Sequence, residues 1–414
     1  GGAGEGDPEG DGGAAGDAGM SNEWPIVALG DIFAIARGGS PRPIQEFITD
    51  DPDGVNWITI SDATESSKHI SSTRRRITKA GVSRSRMVHP GDFLLTNSMS
   101  FGRPYIMNTS GCIHDGWLVF GNREQRVDSD YFFHLLGSAT VYSEFERLAA
   151  GVTVKNLNID LVKKVCVPLP PLAEQQRIAK VLDAADALRA KRRASIGQLE
   201  GLPSAIFIDV FGDPGTNPKG WQTAKFETTC ERVTVGIVVQ PASYYVDSGV
   251  PALRSLNIKP GNISLDDLVY FSTSDNETKL SKTRLKSGDV VLVRSGRPGT
   301  AAVVPDELDG INAIDILIAS PSRKLIDPTY ICAFFNSPEG RRLVLSEQRG
   351  QIQKHLNVGS LNDVDIPLPP LPLQQEFARR IAAVERLKSA HRAHLAELDV
   401  LFASLQHRAF RGEL

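Results

Sequence analysis

The chain repeats itself. PLPPLAEQQRIAKVLD at residues 168–183 returns as PLPPLPLQQEFARRI at 367–381, 199 residues later. The repetition extends well beyond that phrase. WPIVALGDIFAIARGGSP from Trp24 aligns with WQTAKFETTCERVTVGIV from Trp221, and GDFLLTNSMSFGRP (91–104) with GDVVLVRSGRPGT (288–300), both at an offset of 197. GVTVKNLNI (151–159) matches GQIQKHLNV (350–358) at 199. A period this long is no solenoid, whose units run ~20–50 residues, so each repeat is a domain plus an appendage. The expected organisation is a flexible tail over 1–20, a first domain over 21–170, a helix over 171–213, a second domain over 214–368 and a second helix over 369–414.

Both domains read as mixed α/β. FLLTNS and VVLVRS are short apolar runs after Gly-Asp turns, which predicts strands. Residues 128–149 and 327–348 carry helical spacing at equivalent places. VKKVCVPLP and NDVDIPLPP read as a last strand closed off by proline. The appendages read as long helices. The first spaces Ile178, Val181, Ala185, Leu188, Ile196, Leu199, Leu202 and Ile206 mostly three and four apart. The second does the same with Phe377, Ile381, Val384, Leu387, Leu395, Leu398, Phe402 and Leu405. Prolines fix each start, near Leu172 and Leu373, and Gly212 and Gly412 mark the ends. A run of ~35 residues spans about 50 Å and must cover its thin apolar stripe. Packing onto its own domain is one way to do so; antiparallel pairing of the two helices is the other, and a duplicated chain favours it. The fold class is therefore α+β, with two mixed α/β domains at opposite ends of a pair of long antiparallel coiled-coil helices.

Composition narrows the setting. Of the 414 residues the first 20 hold Glu5, Asp7, Glu9, Asp11 and Asp17 and no base, so the remainder carries +2 against −3 for the whole. That opening is glycine-rich and acidic, the signature of a flexible tail, and Met20 at its end is a candidate natural start. A near-neutral body makes local clusters more informative than the total. Cys112, Cys166, Cys230 and Cys332 form no CxxC pair, which fits a reducing, cytoplasmic setting. No apolar run approaches ~18 residues, so no membrane span is expected, nor is a secretory signal.

Two domains on a rod address two points of an elongated ligand, and B-DNA, whose turn is about 34–36 Å, is such a ligand. Here the residues carry a resemblance. The paired PLPPLAEQQRIAKVLD and PLPPLPLQQEFARRI, the FGDPGTNPKGW junction (211–221) and the terminal HRAFRGEL (407–414) resemble the specificity subunits of type I restriction–modification systems over residues 21–414. The resemblance implies two target-recognition domains, each reading half of a bipartite, asymmetric DNA site. It also implies helices that set the spacer between the halves and dock two methyltransferase subunits, then restriction endonuclease subunits. S-adenosylmethionine, ATP and Mg2+ then belong to those partners, with no cofactor in this chain.

The chain's own residues favour binding over catalysis. There is no GxxxxGK[ST] loop for ATP phosphates and no [DNS]PP[YF] signature of an amino-methyltransferase. Glu277-Thr-Lys279, with Asp266 or Asp267 upstream, has the ExK form of a nuclease site but lies in a polar loop. His391 and His394 are spaced to share a metal, yet no third ligand is in view. A self-contained nuclease and a protein-only scaffold are the competing readings.

Candidate DNA contacts follow from charge. SSTRRRITKAGVSRSR (71–86) gathers Arg74, Arg75, Arg76, Lys79, Arg84 and Arg86 among hydroxyl residues, a phosphate-contacting composition or a charge-protected strand edge. TKLSKTRLK (278–286), with Lys279, Lys282, Arg284 and Lys286, recurs at the matching place. The loops after the Gly-Asp strands offer Asn97, Arg103, Arg294 and Arg297. Arginine grips guanine and asparagine adenine in the major groove, although a plain β-turn accounts for these residues equally well. Arg254, Asn257 and Lys259 of RSLNIKPGN are candidates for base reading or for a core edge. Lys155 and Lys354, the most position-matched basic residues of the repeat, are assigned to backbone positioning.

Overall fold

The computed structural model describes residues 24–64, 68–97, 102–122, 126–149, 157, 159–346 and 356–414. The tail expected over 1–20 lies outside them. The chain divides into two units, one of residues 1–191 and 395–414 and one of 192–394, so the division falls inside both long helices.

In the first unit an apolar sheet runs in the order Phe33–Arg37, Trp117–Asn122, Phe93–Thr96, Pro104–Met107, His69–Ile70. FLLT forms its central strand because both faces are covered. Phe93 and Leu95 join a core with Phe33, Phe120 and Phe132, whereas Leu94 packs with Tyr105 and Trp117. Phe33 meets Phe93, Phe120 and Phe132 edge-on at 5.7, 5.7 and 5.1 Å, the arrangement aromatic quadrupoles favour. A second sheet runs Ile48–Thr49, Arg75–Ile77, Val55–Ile58, Gly111–Ile113, Arg86–Val88. Ile26–Ala28 pairs antiparallel with Cys166–Pro168 and closes the unit.

The second unit repeats this plan with four strands in each of its two larger sheets in place of five. One sheet runs Cys230–Val235, Ile316–Pro321, Val290–Val293, Ala301–Val303, and the other Tyr245–Val246, Val269–Phe271, Val250–Leu253, Asn312–Ala313. VVLV is again buried on both faces, and Thr223–Lys225 pairs antiparallel with Asp365–Pro367. In both units the smaller-sheet strands Trp57–Ile58 with Cys112–Ile113, and Ala252–Leu253 with Asn312–Ala313, are parallel.

The helical segments over 128–149 and 327–348 each break in two, giving Ser129–Leu136 and Ala139–Ala149, then Pro328–Asn336 and Pro338–Ser346. The break is a serine at the same repeat position. Ser138 Oγ donates to Leu135 O at 2.7 Å and accepts from Val141 N at 3.4 Å; Ser337 Oγ donates to Phe334 O at 2.7 Å and accepts from Gly340 N at 3.0 Å. Serine offered the backbone as an alternative partner competes with helix continuation.

The appendages are helices Leu172–Phe211 and Leu371–Ala409, ended by left-handed Gly212 at φ 82° and Gly412 at φ 75°. Within each unit they pair antiparallel. In the first, Arg177 Nη2 donates to Leu414 O at 2.9 Å and Arg189 Nε to Asp399 Oδ1 at 2.6 Å. In the second, Arg192 meets His391 Nδ1 at 3.3 Å, while Phe207 and Phe211 lie edge-on to Phe377 at 5.8 and 5.2 Å. The seam corrects part of the sequence-read stripe. Leu188, Leu202 and Leu387 are 54%, 38% and 47% exposed, whereas Leu182, absent from that stripe, is fully buried. Arg189 takes a seam position beside Leu182 and Ala185, its guanidinium 4.2 Å over the Phe402 ring, so charge and cation–π contacts replace leucine there.

The repeated phrase PLPPL…Q locks each helix start to its domain. Gln175 and Gln374 are fully buried. Gln175 Oε1 accepts from Asp128 N at 2.9 Å, and its Nε2 donates to Arg126 O and Pro170 O at 2.9 and 2.8 Å. Gln374 Oε1 accepts from Asp327 N at 2.8 Å, and its Nε2 donates to Leu325 O and Pro369 O at 3.4 and 2.8 Å. Tyr131 and Tyr330 hydroxyls donate to Pro168 O and Pro367 O at 3.1 and 2.7 Å. Pro168 and Pro367 face Ile26 and Thr223 at positions whose backbone points away from the partner strand, since the next residues, Leu169 and Leu368, donate to Pro25 O and Gln222 O. The missing N–H therefore costs no ladder bond and the carbonyl is open to the tyrosine.

Candidate nucleic-acid interface

In the first unit the cationic segment is built on a strand. Arg75–Ile77 pairs on one side with Val55–Trp57 and on the other with Ile48–Thr49. Ile77 is fully buried and anchors it. The approach is pinned by Asp62, which is buried and accepts from Arg74 N at 3.1 Å, Thr59 N at 2.7 Å and Thr59 Oγ1 at 2.6 Å. Arg74, Arg75, Arg76, Lys79, Arg84 and Arg86 are all exposed. Arg84 lies 5.4 Å over the Phe47 ring, and Arg86 Nε donates to Arg37 O at 2.7 Å.

That last bond brings in residues missed in the sequence. Arg37 and Arg42 of RGGSPR are exposed beside the same face. Asp115 gathers them, accepting Arg37 Nε at its backbone carbonyl (2.8 Å) and Ser40 Oγ and Arg42 Nη2 at its carboxylate (2.8 and 3.2 Å). The Ser40 hydrogen bond, with His114 and Arg42 nearby, holds the Asp115 carboxyl below its usual range despite partial burial. Gly38 permits this close approach: a Cβ there would sit 2.0 Å from His114 O. The readable signal was a Gly-Gly-Ser-Pro turn flanked by arginines.

The loop after the Gly-Asp strand behaves differently from the sequence reading. Asn97 is fully buried, and its Oδ1 accepts from Leu157 N at 2.9 Å, so it braces the backbone and offers no edge to adenine. Arg103 is exposed next to it. Lys155 lies outside the described residues, as does 98–101 of that loop.

In the second unit two further candidates turn inward. Asn257 is fully buried, its Oδ1 accepting Arg254 N at 2.9 Å and its Nδ2 donating to Ser264 O and Asp266 O at 3.1 and 2.8 Å. Arg254 Nη2 is tied to the Asp267 carboxylate at 3.0 Å and to its carbonyl. Both therefore staple the hairpin Ile258–Lys259 with Asn262–Ile263, which leaves Lys259 exposed. Arg294 is half-buried and committed to Asp315 at 2.7 Å, and its carbonyl accepts Leu356 N at 3.0 Å. Thus both units fasten Leu157 or Leu356 to the residue after the Gly-Asp strand, once through a side chain and once through a carbonyl. Lys354 lies outside the described residues. Lys282 and Arg297 are exposed and Arg284 is half-buried.

The chemistry available is that of cationic binding. Lys279 pairs with Asp275 at 2.7 Å, Asp266 accepts Ser264 Oγ at 2.6 Å and Asp267 holds Arg254, so these members of the ExK arrangement are engaged elsewhere. Burial pushes the Cys230 and Cys332 thiols up to about 12 and raises Cys112, which keeps all three in the unreactive neutral form. Among the described residues no group of three or more His, Cys, Asp or Glu is placed to hold a metal, and no helix is long and apolar enough to cross a membrane.

The family described as "Type I restriction modification DNA specificity domain" matches residues 21–198. The specificity subunit of the type I restriction enzyme EcoBI of Escherichia coli is 22% identical over 95% of this chain and 87% of its own length. That of EcoKI, from Escherichia coli strain K12, is 24% identical over 94% and 89%. A solved structure described as the basis of complex assembly and conformational transition of a type I R-M system superposes with a TM-score of 0.62 at 18% identity, covering 94% of this chain and 98% of that one.

Proposed function

We infer that this chain, which belongs to the specificity subunits of type I restriction–modification systems, reads a bipartite asymmetric site in double-stranded DNA and carries no chemistry of its own. The observation that supports this best is a duplicated frame bearing two different cationic faces. The Asp–Gln–Tyr lock is the same in both units, whereas the exposed cations differ in sequence and in support. The first face is Arg74, Arg75, Arg76, Lys79, Arg84 and Arg103; the second is Lys259, Lys282, Arg284 and Arg297. Lys155 and Lys354 are assigned to the phosphate backbone. Helices of 40 and 39 residues measure about 60 Å at 1.5 Å per residue, a length on which the spacing of two half-sites can be set.

On this reading the chain recruits two methyltransferase subunits and then restriction endonuclease subunits in the cytoplasm. S-adenosylmethionine, ATP and Mg2+ serve those partners. The segments proposed to act independently are 21–170 and 214–368 for recognition, and 171–213 and 369–414 for spacing and docking. The isolated chain is expected to bind DNA poorly.

The test uses the complex assembled with its methyltransferase subunits. Arg75→Glu with Arg76→Glu should weaken DNA binding at least ten-fold and flatten the salt dependence, because each lost phosphate contact removes about 0.9 from the slope. Unchanged affinity and slope would leave the protein-only scaffold as the better account.

A further inference from the structure

We propose that Arg232 is a positioning residue for DNA binding by the second unit, fixing residues 282–286 so that Lys282, Arg284 and Lys286 meet phosphates. The inference rests on the DNA-reading function given above. Ser281–Thr283 forms a single turn of 3-10 helix, and 284–287 belong to no strand; buried Leu285 alone is tied to the neighbouring backbone, its N–H donating to Ile311 O at 2.8 Å and its carbonyl accepting Gly310 N at 2.9 Å. Arg232 supports the segment on either side of that anchor. Its Nη1 donates to Lys282 O at 3.3 Å and its Nη2 to Arg284 O at 3.1 Å, capturing the carbonyls of two of the three cationic residues.

The guanidinium is itself locked. Nη2 also donates to Asp289 Oδ2 at 2.7 Å, and Nε to Ser320 Oγ at 3.2 Å. Asp289 is only 3% exposed and accepts Lys286 N at 2.9 Å and Ser320 Oγ at 2.6 Å. A planar fork with fixed donors can serve a carboxylate and two carbonyls together, which a flexible ammonium cannot. The cations so held are left free. Arg284 makes no side-chain hydrogen bond or ion pair among the described residues, and with Lys286, Ser287 and Gly310 it borders an open cavity of about 400 Å3.

The first unit shows the same place without the device. Strand register makes Ala34 and Gly121 the counterparts of Arg232 and Ser320, while Asp92 stands for Asp289. Asp92 Oδ2 accepts His89 N at 2.8 Å just as Asp289 accepts Lys286 N, so the turn is common to both. Only the second unit adds a fork above it, and its Lys282, Arg284 and Lys286 all lie off a strand, whereas Arg75, Arg76 and Arg86 of the first unit lie on strands.

The experiment compares Arg232→Gln, Arg232→Lys and Arg284→Ala in the complex with methyltransferase subunits, by DNA affinity across salt concentrations, with hydrogen exchange of residues 281–287. Arg232→Gln should lower affinity about ten-fold, reduce the salt slope by about two and speed exchange of the segment, although every DNA-facing side chain remains. Arg232→Lys, which keeps the Asp289 pairing and is the safer variant to fold, should lie between Gln and the parent. If Arg284→Ala weakens binding while both Arg232 variants bind, titrate with salt and exchange as the parent does, the positioning role is overturned. If Arg284→Ala and Arg232→Gln both leave binding unchanged, the DNA contact itself is wrong at this segment, and the inference falls with it.

Discussion

The two units share one frame and support their cations by different means. In the first, the arginines ride on a strand whose ladder is set by Val55–Trp57 and anchored by buried Ile77. In the second, the cations sit on an irregular turn that Leu285 ties to the backbone of Ile311 and Gly310, while Arg232 and Asp289 hold the residues around it. What the duplication preserved is the attachment of each domain to its helix; what it let diverge is the surface that meets a ligand. Recognition can then change without disturbing the joint that positions it.

The joint itself gives the largest expected difference. In the second unit Phe207 stacks on Tyr330 at 5.7 Å and packs with Phe211 and Phe377, whereas in the first Tyr131 lies edge-on to Phe410, just past the end of the second long helix, at 5.7 Å. Phe207→Ala should therefore cost about 3–5 kcal/mol in denaturant unfolding. Phe410→Ala, at a partly exposed site, should cost less; equal losses would break the contrast. The glutamines sharpen it from the other side. Gln175→Ala and Gln374→Ala each strand buried backbone groups and should each cost about 2–3 kcal/mol, alike within error, because their bonds are alike.

The smallest effect is one of pH. The first unit alone contains a buried His134, whose Nε2 meets Asp183 at 2.7 Å, with Lys68 on the same carboxylate at 2.6 Å. Ala333 and Ala382 stand at the matching repeat positions. Partial burial by itself would raise the Asp183 carboxyl, but the hydrogen bonds from His134 and Lys68 outweigh it and hold it at about 2. A depressed carboxylate stabilises the fold above its ordinary value near 3.8 and loses that contribution as pH falls toward 2. Hydrogen exchange below pH 4 should thus loosen the segment around His134 before that around Ala333, and Asp183→Asn should abolish the difference. Equal loosening in the parent would show that the network carries no weight.

The repeat made much of this visible in advance. Aligned positions located the Gly-Asp strands, the helix starts and the prolines, because backbone attachment obeys local rules of turn, cap and spacing. Side-chain direction does not. Leu182 and Leu188 satisfy helical spacing equally well, and only tertiary packing decides that the first joins the core of its unit and the second is exposed. Asn97 and Asn257 carry the right groups for reading a base, yet buried backbone amides and carbonyls claim them. Arg232 lies in an ordinary strand sequence, ~50 residues before the segment it holds, so nothing local marks it. Arg37 becomes visible as part of the cationic face only once Arg86 is seen to reach its carbonyl.

The central claim is that each unit reads half of one divided DNA site, and the methylome of host cells tests it most directly. Comparing cells with and without this gene should show the loss of a single methylated motif made of two unlike half-sites around a fixed spacer. If every methylated motif survives the loss of the gene, the chain does not specify DNA modification and the account is contradicted.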